Sequence, residues 1–389
     1  MNIQAALPGT FGIGLLGMLQ VLVWGGSFFL MAVMADPIIE ETGWASKWVY
    51  GALSLSLLVS ALLAPLISRL IARYGGRPVL ASSGLGVAIG LSLMAGATSL
   101  PVFFLAWSVI GIGMALGLYE ALFAGLGSLY GERASAAITG ITLISGFATT
   151  LTWPIVAWMI ESMGWRSTCL AYAALLVLTV APLYIWILPR GPISVTISET
   201  SRDKNLPINR QIYWLLTVNF ALGAVIMTAI SVQLISLLEG QGYSLAAAIG
   251  FSALLGPSQV GSRVLQVFSR KRHPIWTTLI SVVLVAVGLA VVALAPAMTA
   301  LGLVLYGAGN GLRAIVRGLL PLSLMPPTQY VLLMGRMARP SLIGQALTPL
   351  VGGYLLQTWG ASGVLAGLCS LAGLNVVLVL FLLRRVRAQ

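Results

Sequence analysis

The sequence predicts an all-α membrane protein of about twelve transmembrane helices in two pseudo-symmetric six-helix bundles. Three observations lead there. Of 389 residues, 59% are hydrophobic and 8% charged, and the mean hydropathy is +1.00. A soluble domain cannot hide so much apolar surface from water, whereas a bilayer absorbs it. The apolar residues also fall into runs of roughly 20, the length that crosses a hydrocarbon layer about 30 Å thick. Finally, a single long polar stretch, PRGPISVTISETSRDKNLPINR from Pro189 to Arg210, parts the runs into two sets of six.

The first nine residues, MNIQAALPG, hold no Lys or Arg and so lack the basic start of a cleavable signal; the first apolar run is expected to remain as a helix. Breaks at charges, Pro and Gly then give spans at 11–35, 49–68, 79–100, 102–129, 137–160 and 168–188. A second set follows at 212–238, 245–268, 275–296, 299–322, 341–359 and 363–383, and the separations at Pro101 and Pro296 are the weakest. The expected organisation is an N-terminal bundle over 1–188, a cytoplasmic linker over 189–211 and a C-terminal bundle over 212–389.

The formal charge of +12 does not form a nucleic-acid-binding patch. With the N-terminus inside, nineteen of the 21 basic residues fall in cytoplasmic segments or the cytoplasmic halves of helices, leaving only Lys47 and Arg166 outside. That asymmetry puts both termini in the cytoplasm and accounts for the basic composition without a partner. Cys169 and Cys369 both lie in apolar runs, unsuited to a disulfide or a metal. Trp48, Trp165 and Trp359 sit at span ends and read as interfacial anchors.

After the second span comes SRLIARYGGRPVL, Ser68 to Leu80. It resembles the signature loop of the major facilitator superfamily, Gly-x-Leu-x-Asp-Arg-x-Gly-Arg-Arg. Ser68, Leu70, Arg73, Gly75 and Arg77 occupy corresponding places, with Ser for the first Gly and Ala72 at the aspartate position, so the loop's charge relay is incomplete. ETGWASKW (Glu41 to Trp48), APLISRLIARYGGR and MGWRS (Met163 to Ser167) are similar to the monocarboxylate and oxalate/formate branch. The resemblance spans essentially the whole chain. It implies a secondary transporter with a gating loop that includes Arg69, Arg73, Gly75 and Arg77.

Ionisable groups inside a membrane cost roughly 3 kcal/mol each on insertion scales and default to functional hypotheses. Glu120, well inside the fourth span, has small residues Gly113, Gly117, Ala124 and Gly127 on its helical face. It is either a proton-coupling carboxyl or a structural one paired with an Arg or a helix end. In the eighth span Ser252, Gln259, Arg263 and Gln266 share one face. The resemblance implies an Asp and an Arg four residues apart here, associated with proton coupling and anion binding. Gln259 and Arg263 keep that spacing but Gln cannot carry the proton. Arg263 offers a planar donor fork to a carboxylate, or else snorkels to the surface. Tyr306, Asn310, Arg313 and Arg317 form a stripe on the tenth span with no acid on it. They imply an anion, a carboxyl from another helix, or headgroup contact. Weaker candidates for the cavity wall are Asn219 and Gln233, Gln345 with Thr348 and Gly352, and Thr142, Ser145, Thr149 and Trp153. Trp24, followed by Gly25, Gly26 and Ser27, marks a bend in the first span.

No Walker loop, HExxH or Ser-His-Asp set occurs. The expectation is therefore not an enzyme but a proton-coupled symporter of a small carboxylate-type anion, working by alternating access in a bacterial inner (plasma) membrane. Glu120 would couple to protons, and Arg263, Arg313, Asn310, Gln259 and Tyr306 would bind substrate. Its partners would be the solute, protons and lipid, with no cofactor, metal or nucleic acid, and it would act as a monomer. Proton-driven efflux of a drug or toxic compound fits the same residues. A receptor or channel without a coupled cycle is the alternative of a different class.

Overall fold

The computed structural model describes residues 8–189, 210–268 and 273–387, and every regular element among them is a helix. Nearly all of the expected linker, with Arg190, Arg202 and Lys204, lies outside the described residues, as do Arg270, Lys271 and Arg272.

The first expected span is built from α1 (Thr10–Gly25) and α2 (Met31–Thr42), and the second and third are α3 (Ser46–Tyr74) and α4 (Gly76–Ala95). The fourth joins α5 (Leu100–Gly117) to α6 (Tyr119–Tyr130), and α7 (Ala134–Ser145) runs into α8 (Ala148–Ile187). Beyond the undescribed segment come α9 (Arg210–Gly240), α10 (Leu245–Ser252), α11 (Leu255–Phe268), α12 (Pro274–Leu294), α13 (Thr299–Leu324) and α14 (Pro327–Arg387).

Two of these helices are too long for one crossing, and each contains a reversal. Gly164 in α8 has φ 79° and ψ 159°, and Gly360 in α14 has φ 67° and ψ −179°. That backbone region is essentially closed to residues with a Cβ. The two glycines divide α8 into the fifth and sixth crossings and α14 into the eleventh and twelfth. Twelve crossings therefore lie among the described residues, and the same device stands at the same place in each set, as an internal repeat requires. The separation at Pro101 is a turn after Ala95 with the proline in the first turn of α5. That at Pro296 is a single 3₁₀ turn, Pro296–Met298.

Contacts sort the chain into two compact units: Met1–Ser198 with Met325–Ala346, and Glu199–Leu324 with Leu347–Gln389. The cut differs from one made at the linker because the start of α14 packs on α3. Gly335 lies so close to the Ala64 carbonyl and the Ser68 side chain that a Cβ there would have no room.

Inside each unit helices approach through small residues, which is how helices pack when lipid supplies no hydrophobic drive. In the first unit a Cβ on Gly90 would lie 2.5 Å from Ile110, and one on Gly111 would lie 2.5 Å from the Ser56 carbonyl. In the second unit α13 presses on α12 through Gly288, Gly302 and Gly309, and on α11 through Gly307 and Gly311. Leu234, Leu237, Leu289, Val292, Leu303 and Leu365 fill the core between them.

Four crossings are interrupted near their middles: at Gly26–Leu30, Leu118, Gly146–Phe147 and Ala253–Leu254. The last has a local cause. Pro257 has no N–H, and its ring would strike the carbonyl of Ala253 four residues earlier. This corrects the single polar face expected for the eighth span, because Ser252 belongs to α10 whereas Gln259, Arg263 and Gln266 belong to α11. At Leu118 the backbone is extended, with φ −74° and ψ 179°. The change of register also separates Glu120 from Gly113 and Gly117, expected on its face. Exposed backbone polar groups are costly inside a bilayer. Here the buried Gln20 side chain donates from Nε2 to the Gly117 carbonyl at 2.8 Å, and its Oε1 accepts from Trp24 at 3.2 Å.

Candidate functional site

In the second unit a small recess of about 20 Å³ is lined by α9, α12, α13 and the last crossing of α14. That is room for about one water molecule, so it forms a polar pit rather than a seat for a whole solute. Tyr306, Asn310 and Arg313 line it together, one turn apart along α13. Asn310 Oδ1 accepts from Arg313 Nε at 3.0 Å, which fixes the plane of the guanidinium. Gly223 on α9 makes room for the arginine stem, since a Cβ there would come within 2.9 Å of Arg313 Cδ. Ser281 and Asn375 complete the polar lining, and Asn375 Oδ1 accepts from Asn219 Nδ2 at 2.9 Å. Ile226, Val282, Val285 and Ala372 supply apolar walls.

Gln259 and Arg263 are not on this recess. Both lie on α11 against α13, where Gly311 lets the backbone of Gln259 approach. Arg263 is only 6% exposed, and its Nε donates to the Gly311 carbonyl at 3.2 Å. The side chain turns into the unit, which speaks against snorkelling along the surface. Arg317, one turn beyond Arg313, is likewise buried. No Asp or Glu follows Glu239 in the sequence. Arg263, Arg313 and Arg317 thus stand on crossings of the second half, in a stretch of sequence that contributes no further acid.

Glu120 belongs to the first unit and opens α6 immediately after the interruption at Leu118. Its neighbour Tyr119 stacks on Phe123, with centroids 5.1 Å apart, and shares a 2.6 Å hydrogen bond with Ser145. Tyr119 also meets Trp24 at 5.1 Å, and Trp24 contacts Phe28 and Phe29 at 5.5 Å each. Trp153 Nε1 donates to the Phe29 carbonyl at 3.1 Å. Three interrupted crossings thus meet in one aromatic cluster next in sequence to Glu120, the only acid in the middle of a crossing among the described residues. Phe28, Phe29 and Phe123 have no marker in the sequence beyond ordinary apolar periodicity, although Trp24 and its glycines gave the bend. Thr142 and Ser145 also bond carbonyls of their own helix turn, as hydroxyls in helices commonly do.

The signature loop is ordered by Gly75, whose φ of 88° and ψ of 162° again require glycine. Arg69 and Arg73 are exposed, Arg73 lies over the Tyr74 ring at 5.2 Å, and Arg77 donates to the Ile185 carbonyl near the end of α8. At the opposite end of the first unit ETGWASKW and MGWRS meet. Arg166 Nε bonds Glu41 at 2.8 Å while Nη1 reaches the carbonyls of Ala95 and Ala97, at 2.6 and 2.9 Å. Trp165 also donates to Glu41. Its 3% exposure corrects the interfacial anchor expected of it, whereas Trp48 and Trp359 are exposed. The Arg166 hydrogen bond holds the Glu41 carboxyl below its ordinary pKa.

A multi-pass helical membrane protein whose crossings break at mid-depth around polar groups has the build of a transporter. The comparisons agree. The family model of the Major Facilitator Superfamily matches residues 16–338; the chain belongs to that superfamily of transporters. Rat monocarboxylate transporter 13 is 32% identical over 155 residues, 39% of this chain and 34% of the relative. Mouse monocarboxylate transporter 11 is 31% identical over 137 residues, 35% and 29%. The matches thus span about a third of those relatives. Among solved structures, the human organic anion transporter MFSD10 (TETRAN) superposes with a TM-score of 0.72 at 17% identity, covering 95% of this chain and 98% of its own. A bacterial homologue of the iron transporter ferroportin reaches 0.77 at 14% identity, covering 96% and 98%. These two share the fold.

Proposed function

We propose that the chain moves a small carboxylate-type anion together with protons, by alternating access, across the inner membrane of a bacterium. It would act as a monomer with both termini in the cytoplasm. The observation behind this reading is Arg313, held by Asn310 at a polar recess. A guanidinium so placed recognises a planar anion through paired, charge-assisted hydrogen bonds. Tyr306 and Asn310 add neutral donors at the recess. Arg263 and Gln259 support the same face of α13 from behind, so their part is to hold α13 and its charge in place. The similarity to monocarboxylate transporters 11 and 13 supports the carboxylate class.

Glu120 would take up and release the proton. The two half-chains then carry opposite charge changes during the cycle, and solute and proton together alter the balance between conformations. The loop at Arg69, Arg73, Gly75 and Arg77 would belong to the cytoplasmic gate. With Ala72 in place of an acid, the close contact of Gly335 with Ala64 and Ser68 takes over part of the latch.

A second reading rests on the aromatic cluster of Trp24, Phe28, Phe29 and Tyr119 near Glu120. Aromatic faces beside a carboxyl suit a lipophilic cation, and the protein would then export drugs. Counterflow in proteoliposomes, with labelled monocarboxylates, dicarboxylates and a lipophilic cation, separates the two. Monocarboxylate exchange is the expected result; exchange of the cation alone would replace the first reading by the second.

A further inference from the structure

The start of α9 and the end of α14 leave a broad groove between them, remote in sequence from the polar stripe on α13. It encloses about 700 Å³, with Arg210 and Arg385 at one end and Trp214, Leu215, Val218 and Phe381 among its walls. Arg210 is the first residue of α9 and Arg385 stands two residues before the end of α14. Both charges therefore mark the same membrane boundary. Trp214, one turn further in, and Phe381, one turn from Arg385, are each 51% exposed. Val218 lies another turn deeper. The polarity along the groove thus runs from cation, to amphipathic ring, to aliphatic wall.

That order matches a phospholipid standing in its leaflet: a charged head at the boundary, a glycerol region at the level of Trp214 and acyl chains below. The sign of the charge selects among lipids. Two guanidinium groups, with no acid among the residues that line the groove, repel a cationic head and gain little from a zwitterionic one. A protein segment or a free anion would leave the apolar wall or the basic end unused.

We propose that this groove binds one anionic phospholipid, its phosphate on Arg210 and Arg385 and an acyl chain along Leu215, Val218 and Phe381. The test is native mass spectrometry of the full chain, delipidated in detergent and titrated with phosphatidylglycerol or phosphatidylcholine. Phosphatidylglycerol is expected to stay bound preferentially. The R210Q/R385Q variant should retain it about twenty-five-fold less well, about five-fold for each arginine lost, while R210K/R385K keeps the preference. Equal retention of the two lipids by the wild type, or undiminished phosphatidylglycerol on R210Q/R385Q, would overturn the proposal. Displacement of the lipid by inorganic phosphate would overturn it too, pointing to a free-anion site. So would a disulfide between V218C and D203C, in a background lacking Cys169 and Cys369, that forms equally with and without phosphatidylglycerol, because the linker would then fill the groove.

Discussion

Arg313→Gln is expected to weaken carboxylate transport about a hundredfold, as a rise in KM for counterflow with the protein still folded. A carboxylate leaving water needs a partner that compensates its lost hydration, and removing one side of such a pair costs about 2–5 kcal/mol. At roughly 1.4 kcal/mol for each factor of ten, about 2.8 kcal/mol, in the lower half of that range, gives the stated loss. Arg313→Lys keeps the charge but loses the planar fork that Asn310 orients at 3.0 Å, so an intermediate loss of about tenfold is expected. Unchanged KM in Arg313→Gln would remove Arg313 from the site.

Glu120→Gln is expected to abolish accumulation while sparing exchange. Coupling requires a group that changes charge within the transport path, and in this chain the other eight acids lie near span ends or in loops. Glu120 opens α6 beside the break at Leu118. A helix N-terminus stabilises negative charge there, and the adjacent Tyr119 is fixed by its stacking on Phe123 and its hydrogen bond with Ser145. Glutamine preserves shape and hydrogen bonding but fixes the charge at zero. A one-unit pH gradient supports about tenfold accumulation for one proton per solute. The variant should equilibrate its solute at equal concentrations inside and outside, with counterflow retained. Continued uphill uptake in the variant would assign coupling to another group.

Much of this architecture is legible in the linear sequence because bilayer thickness imposes one length on every crossing. The twelve spans emerge from apolar runs, and glycines or prolines mark most boundaries. The interruptions are less legible. Pro257 could have disclosed the break at Ala253, whereas Leu118 carries no local signal. Its carbonyl neighbour at Gly117 depends on Gln20, 97 residues away. Arg313 and Asn310 were found from helical spacing, yet their companion Asn375 was not, since it is recognised only through its bond to Asn219. Arg263 illustrates the same limit: spacing placed it on a face, but only packing shows that it bonds Gly311 and turns inward. Trp165 had the sequence position of a lipid anchor and is instead consumed by Glu41.

The most direct measurement follows labelled monocarboxylate and internal pH together in proteoliposomes of the purified chain, with the outside made acidic by one unit. The account predicts uphill monocarboxylate entry with simultaneous internal acidification, both abolished by dissipating the gradient. Downhill equilibration of the anion with no movement of protons would contradict it.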